Sequence, residues 1–102
     1  MTQTFAQTGG IRVGEGLFLA LNASWPFASL EVSESALTLS CFGKQWVFPK
    51  GSVSRLSKHS GIFSAGLRIE HKVTDYSPFI VFWTFRFPRL ADELRQRGYT
   101  VS

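Results

Sequence analysis

The sequence predicts a mainly β domain of about seven short antiparallel strands, followed and capped by one C-terminal α-helix. Three observations lead to this fold class. Apolar and polar residues alternate through most of the chain, as they do in strands with one buried face. Turn-forming Gly, Pro, Ser and Asp residues separate the alternating segments. From Phe87 onward, the apolar spacing changes to that of an amphipathic helix.

Length and composition indicate one globular domain. The chain has 102 residues, of which 44% are hydrophobic, 15% aromatic and 18% charged. A domain of this size can fold without disulfides or metals. The one cysteine excludes an internal disulfide, which fits a reducing compartment, so we expect a cytoplasmic protein. The net charge of +4 is compatible with weak contact with anionic surfaces.

Residues 1–15 are predicted to form a flexible N-terminal arm, and the folded domain is predicted at residues 16–102. Thr, Gln and Gly dominate the arm, including the Gly9-Gly10 pair, and this composition is typical of loops. The Lys-Ser or Lys-Thr pair of a phosphate-binding loop does not follow these glycines. We therefore expect the glycines to provide flexibility rather than a ligand site.

The strands are predicted in order along the chain. The first lies at residues 17–21, where three leucines share one face, and residues 22–26 are expected to end it. Strict alternation then predicts an antiparallel hairpin. The residues expected to face inward from its two strands are Ala28, Leu30, Val32, Leu37, Leu39 and Cys41. An aromatic strand at residues 45–48 and a more polar one at residues 52–58 follow.

The C-terminal half ends the sheet and forms the helix. A loop is predicted at residues 59–66, and an alternating strand at residues 67–72. Residues 79–85 are apolar on both faces, so the helix or a partner must cover one of them. The helix is predicted from an apolar stripe, with Pro88 in its first turn and Gly98 at its C-terminal cap. The stripe consists of Phe87, Leu90, Ala91 and Leu94.

This order of elements resembles the pleckstrin-homology-like superfold, and three segments resemble short bacterial proteins of that type. The segments are residues 22–28 (NASWPFA), 61–71 (GIFSAGLRIEH) and 79–84 (FIVFWT). The resemblance covers residues 16–101 and implies two nearly orthogonal sheets with the helix over one open end. Most such bacterial proteins are uncharacterised, so the resemblance implies a fold and not a function.

The first hairpin departs from that family where phosphoinositide-binding members carry basic residues. No Lys or Arg lies between Leu17 and Phe42. Because charge-assisted phosphate binding needs such residues close together, we do not expect inositol-phosphate recognition of the familiar kind.

Side chains with catalytic or metal-binding chemistry are few and poorly spaced. Alternation places Cys41 in the core, where a thiol is inert. The only histidines, His59 and His71, do not have metal-ligand spacing. Asp92 and Glu93 are expected on an exposed helix face. We therefore expect no enzyme activity, no metal site and no cofactor.

Two features indicate protein binding, which is the leading functional hypothesis. Trp25 and Phe27 lie in a segment between strands, where an aromatic residue can anchor a partner. The favoured interpretation is nevertheless that Trp25 packs over the end of the barrel, since small domains leave few aromatics exposed. Trp83 lies on the last strand, which with the helix or a free sheet edge could bind another protein or a second copy.

The alternative hypothesis is a peripheral membrane domain at the inner membrane face. Ile62 and Phe63 form an apolar pair in the predicted 59–66 loop, and Arg55 and Lys58 lie just before them. An apolar loop tip beside positive charge suits an anionic lipid surface. The tip could also dock on a neighbouring protein, and a loop folded back onto the barrel explains the same pair equally well. Nucleic-acid binding is not expected, because the basic residues are scattered instead of interleaved with exposed aromatics.

Overall fold

The computed structural model describes residues 3–14, 21–61 and 65–102, which form a mainly β domain with one C-terminal α-helix. The seven strands of this described part are β1 (Phe5–Val13), β2 (Leu21–Val32), β3 (Ala36–Cys41), β4 (Lys44–Pro49), β5 (Val53–Ser60), β6 (Ala65–His71) and β7 (Ile80–Thr84). A short 3-10 helix at Lys50–Ser52 joins β4 to β5, and the α-helix α1 spans Phe87–Gln96.

All seven strands belong to one antiparallel sheet with the order β4-β3-β2-β1-β7-β6-β5. The sheet curls into a half-barrel, and α1 follows its last strand. β4 and β5 are consecutive in the chain but lie at opposite edges of the sheet. The predicted fold class, mainly β with a C-terminal helix, is confirmed.

The alternating pattern identified the core correctly in the middle of the chain. The β2–β3 hairpin forms with the predicted inward face, and each of its residues is at most 3% exposed. Those residues are Ala28, Leu30, Val32, Leu37, Leu39 and Cys41. Leu67 and Ile69 on β6 are fully buried as well. Period-two alternation was sufficient here because one face of each strand meets the core.

The prediction of a flexible arm is wrong for most of its length, because Phe5–Val13 forms β1 in the middle of the sheet. β1 pairs with β2 on one side and with β7 on the other. A Cβ atom on Gly9 would collide with the carbonyl oxygen of Trp83, and one on Gly10 would lie 2.6 Å from the carbonyl oxygen of Ala23. These glycines therefore permit close backbone approach rather than flexibility.

The segment predicted to end the first strand is instead part of β2 and contains a bulge. Gly9 pairs with Ala28, but Ile11 pairs with Ala23, so residues 24–27 stand opposite Gly10 alone. The Trp25–Pro26 peptide bond within this bulge is cis. The strand predicted at residues 17–21 lies outside the described residues, apart from the backbone of Leu21, where β2 begins.

The loop predicted at residues 59–66 is shorter in the structure. β5 continues to Ser60, which pairs with Ala65 at the start of β6. His59 and Gly66 also pair with each other. Part of the predicted loop is therefore a hairpin, and residues 62–64 lie outside the described residues.

The helix forms as predicted, with one correction. Leu90, Ala91 and Leu94 are buried, and Gly98 has the positive φ of 87° that favours glycine after a helix. Glu93, however, is only 8% exposed, although it was predicted on an exposed face. Its Oε1 accepts a hydrogen bond from Nη1 of Arg97 at 3.4 Å, and this partner stabilises the carboxylate where it is buried.

The two outer edges of the sheet are partly covered. Val101 pairs in parallel with Leu56 of β5, and the backbone N–H of Ser102 donates to the Leu56 carbonyl at 2.8 Å. At the other edge, the N–H of Val47 donates to the hydroxyl of Tyr76 at 3.0 Å. β7 itself lies between β1 and β6 and has no free edge where it pairs with both.

Candidate binding surface

Four aromatic side chains are unusually exposed in the described part of the chain. Trp25 and Phe27 are each 55% exposed, Phe85 is 66% exposed and Phe42 is 69% exposed. Val47 on β4 is the other large apolar residue that is exposed in this part of the chain. An exposed aromatic group costs free energy in water unless something covers it, so this surface needs an explanation.

The four exposed rings meet in two pairs that the β2 bulge links. The rings of Phe27 and Phe42 are stacked with their centroids 5.7 Å apart, and those of Trp25 and Phe85 meet edge to face at 6.3 Å. Trp25 and Phe27 both belong to the bulge at residues 24–27. We refer to Phe85, Trp25, Phe27 and Phe42 together as the aromatic ridge.

Phe42 reaches the ridge from an unusual turn. Cys41 pairs with Lys44, so Phe42 and Gly43 form a two-residue turn between β3 and β4. Both residues have positive φ angles, 49° for Phe42 and 81° for Gly43. Such turns favour Asn or Asp followed by Gly, and a bulky aromatic at the first position is uncommon. The backbone at Phe42 is therefore strained, while its ring stacks on Phe27.

A cleft of about 540 Å³ lies beside Trp25 and Phe85, where β1 and β7 separate. The β1–β7 register ends at Gly10 and Trp83, whereas residues 5–9 continue to pair with β2 alone. We refer to this space as the β1 cleft. The residues that line it are Phe5, Ala6, Gln7, Thr8, Trp25, Thr84, Phe85, Arg86 and Arg89.

A polar network holds the two walls of the β1 cleft in place. The hydroxyl of Thr84 donates to Oε1 of Gln7 at 2.6 Å and accepts the N–H of Arg86 at 3.0 Å. Nε2 of Gln7 then donates to the Arg86 carbonyl at 3.3 Å. Because these groups satisfy one another, the start of α1 has a fixed position relative to β1.

The β1 cleft carries positive charge at its rim. Arg86 and Arg89 both line it, and the Arg89 side chain is 66% exposed. The Arg89 guanidinium lies 5.4 Å from the centre of the Phe5 ring, and its Nε is 3.8 Å from the Glu93 carboxylate. Guanidinium groups bind carboxylates in a bidentate geometry, so this rim favours an anionic group.

The predicted site residues separate into three groups. Trp25 and Phe27 come together on the aromatic ridge, and the favoured packing of Trp25 over the barrel end is not seen, since 55% of the side chain is exposed. Trp83 is partly buried against His59, with ring centroids 5.5 Å apart. Ile62 and Phe63 lie outside the described residues, so their proposed role in membrane contact stays a prediction.

Arg55 and Lys58 lie on β5 and take no part in the ridge. Nε of Arg55 is 3.9 Å from the Glu70 carboxylate, and Nζ of Lys58 is 5.7 Å from the centre of the Phe87 ring. These contacts leave both cations at the surface, where they contribute to its positive charge.

Sequence reasoning missed Phe42, Phe85, Arg86 and Arg89. Phe42 comes directly before Gly43, and a two-residue turn there would have placed its ring at the surface. Phe85 lies two residues after Trp83, so alternation places both side chains on the same face of the strand. Their contacts with the bulge depend on the β1–β2 register, which no local pattern reveals.

Cys41 is buried, and hydrogen-bond partners lie at both ring nitrogens of His71. Cys41 is 2% exposed, and desolvation by burial raises the pKa of its thiol. Nδ1 of His71 accepts the N–H of Val73 at 3.0 Å, and its Nε2 lies 2.8 Å from the Ser77 carbonyl. Across residues 3–14, 21–61 and 65–102, no group of three or more His, Cys, Asp or Glu side chains could hold a metal ion.

No protein-family model, curated protein or solved structure matches the chain. Within its described part, no helix has the length and apolar character needed to cross a membrane.

Proposed function

We propose that this protein is a non-enzymatic module that binds another protein at the aromatic ridge. The observation that carries the proposal is the group of four linked aromatic side chains, each at least 55% exposed. Exposed apolar patches mark interaction sites, and aromatic residues are enriched among the anchors of protein interfaces. Binding to a partner would remove these rings from water, and burial of their apolar surface would stabilise the complex.

The shape of the ridge supports a protein partner. The rings lie on a bulge and a turn, with the β1 cleft on one side and a smaller depression of about 220 Å³ on the other. Thr8 lines both spaces. A raised apolar strip between two depressions suits the contoured surface of a protein, in which complementary side chains fill the grooves.

The absence of enzyme activity is part of the proposal. Burial removes the Cys41 thiol from solvent, and backbone groups occupy both ring nitrogens of His71. Neither residue lines the β1 cleft. A nucleophile needs an adjacent base and an accessible site, so these positions favour a binding role over a catalytic one.

The finer architecture belongs to the same proposal. We propose a pleckstrin-homology-like domain, in which the two halves of the curled sheet correspond to two sheets of such a barrel. The antiparallel meander and the C-terminal helix support this assignment.

We also propose a cytoplasmic location. The one described cysteine is buried and free, which supports it.

Selection from a random peptide library displayed on phage tests the binding proposal. Wild-type protein is the bait, and a Trp25→Ser/Phe85→Ser variant is the counter-selection bait. We expect wild-type protein to enrich peptides that the ridge variant does not retain. Val47→Ser is the matched control, because it removes an exposed apolar side chain from β4, away from the ridge. Its enrichment should equal that of wild type.

Two outcomes would overturn the proposal. The first is that wild-type protein and the ridge variant enrich the same peptides to the same extent. The second is that wild-type protein sediments with phosphatidylserine vesicles but not phosphatidylcholine vesicles, that the ridge variant does not, and that no peptide is enriched. That result would assign the ridge to membrane contact.

Light scattering decides whether a second copy of the chain is a partner. The protein has a mass of 11.4 kDa, so a concentration-dependent rise above this value would report self-association. If the Trp25→Ser/Phe85→Ser variant stays at 11.4 kDa while wild type does not, the ridge binds a second copy. A rise of equal size in both proteins would place self-association elsewhere.

A further inference from the structure

We infer that the partner inserts an extended, acidic segment into the β1 cleft, where it pairs with the open edge of β1. This inference rests on the proposed protein-binding function and names the chemistry of the partner. It comes from the backbone of β1 and from the charge at the rim of the cleft.

Within the described part of the chain, β1 has an open edge along its first half. Residues 5–9 pair with β2 on one side, but pairing with β7 begins only at Gly10. The N–H of Gly14 donates to the Phe79 carbonyl, which lies on the β7 side. Because the amide groups of successive strand residues point to alternate sides, those of Ala6 and Thr8 also point to that side. Ala6 and Thr8 both line the β1 cleft.

An extended peptide can use such an edge. A strand that adds to a sheet gains backbone hydrogen bonds that do not depend on its sequence, and pockets for alternate side chains supply specificity. Ala6 and Thr8 are both exposed, and the cleft volume of about 540 Å³ lies in the range of ligand sites. The open edge is short, so it holds only a short stretch of the partner.

The rim of the cleft selects for acidic residues. Arg86 and Arg89 lie on the wall opposite β1, and none of the described residues that line the cleft is acidic. Glu93 is the carboxylate nearest to Arg89 in the described chain, and it already bonds Arg97. A carboxylate on the inserted segment would give the two arginines a bidentate partner, whereas a lysine there would be repelled.

A charge reversal tests this inference. Two libraries of displayed random peptides differ only in the central residue, which is Asp in one and Lys in the other. Wild-type protein should enrich peptides from the Asp library alone. The Arg86→Glu variant should lose the Asp peptides by about 10-fold in affinity and should begin to retain Lys peptides. Arg95→Glu, on the exposed face of α1, makes the same charge change and should behave as wild type.

Backbone pairing is tested on one enriched Asp peptide. N-methylation of single residues removes one amide donor at a time, so binding by strand addition should weaken at alternate positions. Affinity that is insensitive to every N-methylation would overturn the pairing with β1.

The outcomes separate the two proposals. Equal enrichment from both libraries, lost only in the Trp25→Ser/Phe85→Ser variant, would overturn the acidic segment and leave the ridge as the binding surface. No enrichment from either library would overturn the inserted acidic segment alone, because the aromatic ridge can still bind the folded surface of a partner.

Discussion

Neighbouring backbone lies so close to Gly9 and Gly10 that neither position has room for a side chain. A Cβ on Gly9 would also meet the Phe82 ring at 2.7 Å. We expect Gly9→Ala to lower the free energy of unfolding by about 2–3 kcal/mol, because an inserted methyl group forces backbone apart. Urea unfolding measures the effect. Gly51→Ala is the control, since a Cβ there has nothing within 4 Å. Equal stability of the two variants would contradict this account.

Tyr99 should make stability depend on pH in the alkaline range. Its ring is 6% exposed, its hydroxyl donates to the Ser33 carbonyl at 3.0 Å, and burial raises its pKa from 10.0 to about 12. Since the folded protein holds the proton more tightly than the unfolded chain, this contribution is complete below pH 10 and is lost as pH rises towards 12.

The Tyr99→Phe variant isolates that contribution. The difference in unfolding free energy between wild type and variant should shrink by about 2 kcal/mol between pH 10 and pH 12. Urea unfolding at a series of pH values measures it. A constant difference across this range would show that the hydroxyl titrates alike in the folded and unfolded states.

At the scale of elements, the turn between β3 and β4 lowers the stability of the fold and contributes a ring to the binding surface. Phe42 occupies a left-handed backbone position at which Asn is preferred, with a φ of 49°. We expect Phe42→Asn to raise the free energy of unfolding by about 1 kcal/mol, because it relieves that strain. It should also weaken peptide binding, since the ridge loses one ring. A variant that is less stable but binds normally would contradict both parts.

Arg97 ties the end of α1 to the N-terminal segment. Its Nε donates to the Gln3 carbonyl at 3.0 Å, and its Nη1 bonds the carboxylate of buried Glu93. We expect Arg97→Ala to lower the free energy of unfolding by about 3 kcal/mol, because Glu93 loses its buried partner. Arg95→Ala removes an exposed pair with Asp92 and should change it by less than about 0.5 kcal/mol. An equal loss of stability in the two variants, measured by thermal unfolding, would contradict this role of Arg97.

The elements also show what sequence could and could not predict. Alternation found the inward faces of β2, β3 and β6, and the helical spacing found α1, because these signals are local. The Thr, Gln and Gly residues of β1 predict a flexible arm, because this composition is typical of loops. The need for Gly9 and Gly10 arises only when Trp83 and Ala23 approach from neighbouring strands. That approach depends on tertiary structure.

The binding surface was predictable only in part for the same reason. Trp25 and Phe27 could be recognised as aromatic residues between strands. Their neighbours Phe42 and Phe85 come from distant parts of the chain, and a bulge in the β1–β2 register brings all four together. The extra residues in β2 are not visible in an alternating pattern, so the ridge required the structure.

At the scale of the whole molecule, the sheet protects its outer edges and leaves one region open. The chain around Val101 covers part of β5, and the Tyr76 hydroxyl satisfies the Val47 N–H on β4. No described strand pairs with the β7 side of the first half of β1, and the aromatic ridge lies beside it. Strand edges and exposed aromatics both favour association. Their proximity is the reason we place partner binding here.

The affinity of one enriched peptide for three proteins tests this central claim most directly. Fluorescence anisotropy would measure its dissociation constant with wild type, with Trp25→Ser/Phe85→Ser and with the Val47→Ser control. We predict a loss of about 30-fold or more for the ridge variant, as for an interface anchor worth about 2 kcal/mol, and no change for the control. The same dissociation constant for all three proteins would contradict the assignment of the aromatic ridge as the binding surface.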